Sequence, residues 1–230
     1  MKKLLLLLPL LVAGFSLSAQ NIKSRSIDAK DIISLLRNDG YDLYSFDLND
    51  FMKGDYNVTL YIKEYSKEAG EINSRCFDAG ENKILFSQFT EEEKKAAKEL
   101  GLTKGMKRGI FYKIDRINLA LIPDKVDSLM KLNAEYGNLG AVSQHLKLRP
   151  ISAENVYKYE IRPFVIDNFE SGKFIPLVAL LSWWYDEKAK VIRCCGDPML
   201  KSDLSDEILE NVPHYYIIGV TLDKIEKKEN

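Results

Sequence analysis

The stretch from Phe174 to Cys195 constrains the fold most, because it concentrates apolar and aromatic side chains. It contains both tryptophans, two of the three cysteines and a long apolar run. Polar residues at 186–188 separate two runs that are rich in aromatic and branched side chains, which predicts a β-hairpin with strands over 177–185 and 189–195. The first run does not alternate, so we expect both of its faces to be covered. Burial of one large apolar side chain contributes about 1.5–3 kcal/mol, so this hairpin is expected to anchor the core.

The N-terminal segment, residues 1–19, has the order of a secretory signal peptide. Lys2 and Lys3 precede an apolar core, and small and polar residues follow it up to Ala19. A membrane span needs about 20 apolar residues, and this apolar core is shorter. An uncleaved N-terminal anchor is the alternative interpretation. We predict cleavage after Ala19, and the next residue is Gln20 instead of the cysteine that a lipid anchor requires. The mature protein is then expected in the periplasm or outside the cell, with no stable membrane span.

Size and charge indicate how many domains the mature protein has and which partners are not expected. At 230 residues and 46% hydrophobic composition, the chain has enough apolar material for one core, and we predict a single domain over 20–230. Lys and Arg number 33 and Asp and Glu number 34. Neutralising a phosphate backbone requires a basic surplus, so no nucleic-acid partner is expected.

Hydrophobic periodicity and turn residues predict the remaining elements. Helices are predicted over 29–37, from a capping box at Thr90 to Leu100, over 123–132 and over 204–209. Strands are predicted over 56–65, 83–86, 110–121, 156–165 and 214–222, with a loop over 67–80. Strands outnumber helices and come mainly as neighbours, so we predict an α+β fold with a mostly antiparallel sheet and three or four short helices.

The thiols are candidates for a disulfide, because export would place them in an oxidising compartment. A bond from Cys76 to Cys194 or Cys195 would close a loop of more than a hundred residues, worth about 4–5 kcal/mol in the chain-entropy model. Buried free thiols are the alternative, since cysteine often behaves as a small apolar side chain. No Cys-x-x-Cys and no histidine at ligand spacing accompanies them, so no metal site and no cofactor is predicted.

The aromatic side chains of Trp183, Trp184 and Tyr185 are the candidate binding surface. Neighbouring residues of a strand face opposite ways, so one indole is expected to face the core and the other to face outward. An exposed flat indole can stack on a sugar ring. The alternative is that layers on both sides of the sheet cover both rings.

Two further groups of residues bear on catalysis. His145 and His214 are the two histidines, and we interpret both as surface or sheet-end residues because no Gly-x-Ser-x-Gly or His-Glu-x-x-His motif supports them. Acidic pairs such as Asp47 with Asp50, or Asp186 with Glu187, could supply the two carboxylates of a glycosidase. Solvated turns are the simpler interpretation of these pairs. No catalytic residue is therefore predicted.

The overall layout resembles the small exported proteins of unknown function that are common in Gram-negative gut anaerobes. The resemblance comes from the Ser-Leu-Ser-Ala-Gln end of the leader, the Tyr-Asn-Val-Thr-Leu-Tyr strand and the Trp-Trp-Tyr to Arg-Cys-Cys hairpin. It implies an exported protein and assigns no activity. Together with the absence of catalytic motifs, it favours a non-enzymatic binding module for a glycan, a peptide or an envelope partner. The alternative is a secreted hydrolase, a glycosidase or peptidase, whose carboxylates converge only in the fold.

Overall fold

The computed structural model describes residues 28–106, 108–137, 140–151, 156–166, 170–194 and 196–226. The predicted leader and Cys195 lie outside the described residues. Within them the strands are β1 (Asp42–Asp47), β2 (Tyr56–Ser66), β3 (Gly70–Glu81), β4 (Lys83–Leu85), β5 (Ile110–Tyr112), β6 (Arg116–Pro123), β7 (Leu129–Tyr136), β8 (Gly140–Lys147), β9 (Tyr159–Val165), β10 (Ile175–Ser182), β11 (Trp184–Asp186), β12 (Val191–Arg193), β13 (Leu200–Lys201) and β14 (His214–Lys224). The α-helices are α1 (Ala29–Asn38), α2 (Glu91–Glu99) and α3 (Glu207–Asn211).

Two sheets form the body of the molecule. The larger sheet has the strand order β13-β9-β10-β14-β2-β3, in which β13 runs parallel to β9 and the other neighbours are antiparallel. The smaller sheet is antiparallel throughout and has the order β1-β6-β7-β8. Two short ribbons pair β4 with β5 and β11 with β12.

The inner faces of the two sheets share one hydrophobic core, which makes the body a β-sandwich. Alternate residues of β2 point into this core, namely Val58, Leu60 and Ile62. The smaller sheet contributes residues such as Ile117 and Leu132. Each of these five side chains is at most 1% exposed, so the packing of sheet on sheet supplies the main apolar burial.

Strand β10 anchors the larger sheet, as the sequence predicts. All of its residues are buried, with Leu180 in the core between the sheets and Leu181 in a second core on the outer face, which α3 covers. The predicted hairpin is only partly correct. β10 pairs with β9 and β14 instead of 189–195, and the hairpin is the short ribbon β11–β12 that follows β10.

The predicted α+β class is wrong, because the chain is mostly β-sheet with few short helices. Residues 67–80, predicted as a loop, contain β3, a strand that pairs with β2 along its length. Its side chains are mostly exposed at the edge of the sheet, so no apolar alternation marks it. Residues 123–132, predicted as a helix, contain a turn and the start of β7, whose Leu132 and Ala134 are buried in the core. Their burial outweighs the helical spacing of the preceding apolar residues.

Most of the other predicted elements are present with shifted bounds. The predictions over 29–37, 56–65, 83–86 and 214–222 are confirmed as α1, β2, β4 and β14. The prediction over 110–121 corresponds to β5 and β6, that over 156–165 to β9, and that over 204–209 overlaps α3. None of the helices in the described residues combines the length and apolar character needed to span a bilayer.

Candidate functional site

The three predicted binding residues lie where the chain leaves β10. The amide of Trp183 donates to the carbonyl of Lys158 at 2.8 Å, which extends the pairing of β10 with the β9 segment by one residue. Trp184 and Tyr185 are the first residues of β11, and all three side chains are half-buried. One side of Trp184 packs against the second core.

A cavity of about 360 Å³ opens beside this turn. Its lining comes from strand ends and turns: Lys67, Glu68, Arg149, Pro150, Ile151, Ser182, Trp184, Tyr185, Asn211, Pro213 and His214. Trp184 and Tyr185 therefore meet at one concave site, whereas Trp183 does not line it. The indole N–H of Trp183 is buried without a hydrogen-bond partner among the described residues.

His214 forms a polar wall of the cavity and is 1% exposed. Its Nε2 lies 3.0 Å from Oε1 of Glu64, and its Nδ1 lies 2.6 Å from the hydroxyl of Tyr159. The main-chain amide of Arg149 donates to that same hydroxyl at 2.9 Å. These four residues form one chain of hydrogen bonds, which we call the His214 relay.

The chemistry of the groups sets the direction of each bond in the relay. An ionised carboxylate only accepts, so Nε2 of His214 carries the proton and donates to Glu64. Nδ1 of a neutral imidazole then accepts, and the donor is the hydroxyl of Tyr159. That hydroxyl accepts in turn from the amide of Arg149, so both ring nitrogens and both ends of the chain have partners.

The alternation of the strands places the relay on the inner face of the sandwich. Glu64 follows Val58, Leu60 and Ile62 on the inward side of β2, and His214 precedes the inward Tyr216 on β14. The register pairs Glu64 with Tyr216 and Ser182 with Tyr159, so the polar groups gather at one end of the larger sheet. The hydroxyl of Ser182 accepts from the amide of His214 at 3.2 Å, which fixes the start of β14.

Burial sets the protonation states in the relay. Desolvation lowers the pKa of His214, and the hydrogen bond to Glu64 opposes this shift without cancelling it. Desolvation likewise raises the pKa of Tyr159, partly offset by the amide and charge of Arg149. At neutral pH His214 is therefore uncharged and Tyr159 keeps its proton. The relay acts as a rigid, neutral donor–acceptor chain attached to one carboxylate.

Three of the described residues that line the cavity are charged. Lys67 and Glu68 lie on the turn between β2 and β3, and Arg149 lies in the segment after β8. The guanidinium of Arg149 is 4.0 Å from Oε1 of Glu64, and its side chain is 48% exposed. Trp184, Tyr185, Lys67 and Arg149 thus line the same cavity.

Several of the residues considered for catalysis make hydrogen bonds or ion pairs within the fold. A carboxylate oxygen of Asp47 accepts from the amide of Asn49 at 2.7 Å, and one of Asp186 accepts from two amides of the turn before β12 at 3.0 Å. His145 is exposed on β8 and lies 3.1 Å from a carboxylate oxygen of Asp124. Both ring nitrogens of His214 are occupied within the relay, so neither is available to activate the neighbouring Ser182.

Two of the three thiols lie within the described residues. Cys76 is exposed on β3, opposite Tyr61 of β2, and Cys194 is half-buried directly after β12. Cys195 lies outside the described residues. The disulfide among Cys76, Cys194 and Cys195 stays a prediction. Within the described part of the chain, no group of three or more His, Cys, Asp or Glu residues could hold a metal ion.

A family model described as "Domain of unknown function (DUF5041)" matches residues 13–224. The chain belongs to the DUF5041 family. The predicted resemblance to an uncharacterised family is thereby confirmed, while the predicted origin in gut anaerobes stays a prediction. No curated protein and no solved structure matches this DUF5041 chain, so its cavity is interpreted from its own residues.

Sequence reasoning identified two aromatic residues of this DUF5041 cavity and missed its polar wall. The sequence predicts His214 as a surface or sheet-end residue, and it is the first residue of β14 but is buried. One feature of the sequence does indicate a buried polar partner. Glu64 occupies the apolar face of an otherwise regular β2, and a carboxylate at such a position requires a buried partner. Nothing in the sequence pattern pairs it with His214 or Arg149, which lie far away in the chain.

Proposed function

We propose that this DUF5041 chain is an exported, non-enzymatic module that binds a glycan in the cavity beside β11. The observation that carries the proposal is that Trp184 and Tyr185 line the same cavity as polar and cationic groups. Ligand sites are concave, combine aromatic surface with a few placed polar groups, and commonly span about 300–1,000 Å³. At about 360 Å³ the cavity suits a small saccharide or the end of a chain.

The chemistry of a sugar ring fits this lining. One face of the ring carries C–H groups, which pack on the flat surface of an aromatic side chain, while its hydroxyls need donors and acceptors at the edge. Lys67, Glu68 and Arg149 supply such groups around the aromatic surface. The relay holds the ring of His214 and the main chain at Arg149 in place, so the side chain of His214 loses little entropy on binding.

Export is proposed from the order of residues 1–19. The basic start, the apolar core and the small residues before Gln20 are those of a cleaved leader. Mass spectrometry of the native protein is expected to find Gln20 at the N-terminus in the fraction outside the inner membrane. Met1 retained in a cytoplasmic fraction would overturn this part of the proposal.

The binding proposal is tested by glycan-array screening of the mature protein, followed by calorimetry on the glycans that bind. Replacing Trp184 or Tyr185 by Ala is expected to weaken binding at least about tenfold, a loss of about 1.4 kcal/mol. Trp183→Phe serves as the matched control, because Trp183 does not line the cavity. Circular dichroism checks that each variant folds. Failure of every glycan to bind, or unchanged affinity in both alanine variants, would refute the proposal.

A further inference from the structure

We infer that the cavity selects sugars that carry a carboxylate, with Arg149 and Lys67 as the groups that bind it. This inference rests on the proposed function and names the ligand class of the same site. It concerns charge, whereas the proposed function depends on the aromatic surface, so the two can fail separately.

The main chain of Arg149 is held by a hydrogen bond, whereas its guanidinium can still donate hydrogen bonds to a ligand. Its amide is held by the hydroxyl of Tyr159 at 2.9 Å, which positions the main chain at the cavity. Its guanidinium makes no hydrogen bond with the described residues and lies 4.0 Å from Glu64, at the outer limit of an ion pair. The oxygen of Glu64 that it approaches already accepts from His214 at 3.0 Å. A planar guanidinium can bind a carboxylate through two parallel hydrogen bonds, and none of the described carboxylates does so here.

Lys67 adds a second positive charge to the cavity from a different segment of the chain, the turn after β2. Its amide donates to the carbonyl of Pro213 at 3.0 Å, which ties the turn after β2 to the start of β14. Its ammonium makes no ion pair within the described part of the chain. Among the described residues that line the cavity, Lys67 and Arg149 are cationic and Glu68 is anionic, and the carboxylate of Glu64 lies 4.0 Å from the guanidinium of Arg149.

A neutral sugar and an acidic sugar would use these groups differently. A neutral sugar can stack on Trp184 and Tyr185, but it leaves both cations to water. A sugar with a carboxylate can make the same stacking contact and also a charge-assisted hydrogen bond to Arg149, the stronger class of hydrogen bond. The cavity should therefore discriminate between sugars that differ only in that carboxylate.

The test uses methyl glycosides that form matched pairs: galacturonic acid with galactose, and glucuronic acid with glucose. Calorimetry on the mature protein at low salt is expected to show at least about tenfold tighter binding of the acid in one pair, which corresponds to 1.4 kcal/mol. The advantage should shrink as salt is raised, because the interaction is partly exposed. The comparison needs no variant, so a folding defect cannot obscure it.

The variants Arg149→Gln and Lys67→Gln then assign the effect to residues. Arg149→Gln is expected to reduce the affinity for the acid to that for the neutral sugar and to leave the neutral sugar unaffected. Lys67→Gln should produce a smaller loss of the same kind. Arg37→Gln, on α1 away from the cavity lining, is the matched control and should change neither affinity.

Three other outcomes would each refute a specific proposal. Equal binding of acid and neutral sugar, with loss of both in Trp184→Ala, refutes the charge inference and leaves the proposed function intact. Binding of no sugar in either pair refutes the charge inference, whereas the proposed function is refuted only if every glycan of the array also fails to bind. Binding of a short peptide through its C-terminal carboxylate, in place of the sugars, shows that the cations serve a peptide and refutes the glycan assignment.

Discussion

Tyr159 is the residue on which the His214 relay depends, because its hydroxyl both donates to Nδ1 of His214 and accepts from the amide of Arg149. Tyr159→Phe removes both bonds and leaves the buried Nδ1 of His214 without its partner. We expect the free energy of unfolding to fall by about 1–3 kcal/mol, measured by urea denaturation.

Tyr112→Phe is the matched control for this change. Tyr112 is half-buried on β5, and its hydroxyl makes no hydrogen bond with the described residues. Its loss is expected to change stability by less than about 0.5 kcal/mol. Similar effects of the two substitutions would show that the relay contributes nothing specific.

His214 should make stability depend on pH. Burial lowers its pKa in the folded protein below the value of about 6.5 in an unfolded chain. Above pH 6.5 both states are neutral, so this histidine adds no pH dependence. As the pH falls below 6.5, the unfolded chain takes up the proton first, so the folded state loses relative stability until the pH passes the lowered pKa. The melting temperature should therefore decrease from pH 7 to pH 5.5.

Thermal unfolding of two variants assigns this pH dependence, since the chain has two histidines. In His214→Gln the decrease should be smaller than in the parent protein. In His145→Gln, which removes an exposed imidazole, it should persist. A decrease that survives in His214→Gln and vanishes in His145→Gln would contradict the assignment.

At the scale of single elements, α2 is stabilised mainly by its N-terminal cap. The Thr90 hydroxyl accepts from the amide of Glu93 at 3.2 Å, and the Glu93 carboxylate accepts from the amide of Thr90 at 2.8 Å. The helix is mostly exposed, and Ala97 is its buried residue. Local hydrogen bonds therefore contribute more to the stability of α2 than side-chain packing does.

Thr90→Ala should destabilise α2 by about 1 kcal/mol, because it leaves helix amides without an acceptor. Amide hydrogen exchange of residues 91–99 measures this locally and should become faster. Thr90→Ser keeps a capping hydroxyl and should retain most of the protection. Equal exchange in both variants would show that the capping box is unimportant.

Sequence patterns predicted single elements best where local chemistry determines them. The capping box of α2 and the alternation of β2 are local signals, and both predictions are confirmed. β3 was missed because an exposed edge strand needs no apolar alternation, and its hydrogen bonds come from β2. The start of β7 has the pattern of a helix because Val126, Leu129 and Met130 lie at helical spacing, although the last two are the first residues of the strand. In both cases a partner strand decides the conformation, and local sequence does not name that partner.

At the scale of the whole molecule, the site is a consequence of sandwich topology. The turn after β2, the ends of β10 and β14 in the larger sheet, the start of β11 and the segment after β8 all contribute residues to the lining of one cavity. Trp184 and Tyr185 could be recognised as candidates from their residue types alone. Glu64, Arg149 and His214 could not be grouped, because the pairing of β14 with β2 and the turn after β8 bring them together only in the folded chain.

The most direct test of the account is a ¹H–¹⁵N spectrum of the mature protein during titration with the methyl glycoside of a hexuronic acid. The chain has two tryptophans, so two indole N–H signals are expected, and Trp183→Phe and Trp184→Phe assign them. The account predicts that the Trp184 signal shifts and saturates, while the Trp183 signal moves much less because its ring does not line the cavity. A glycan that binds by calorimetry but leaves the Trp184 signal unmoved would contradict it.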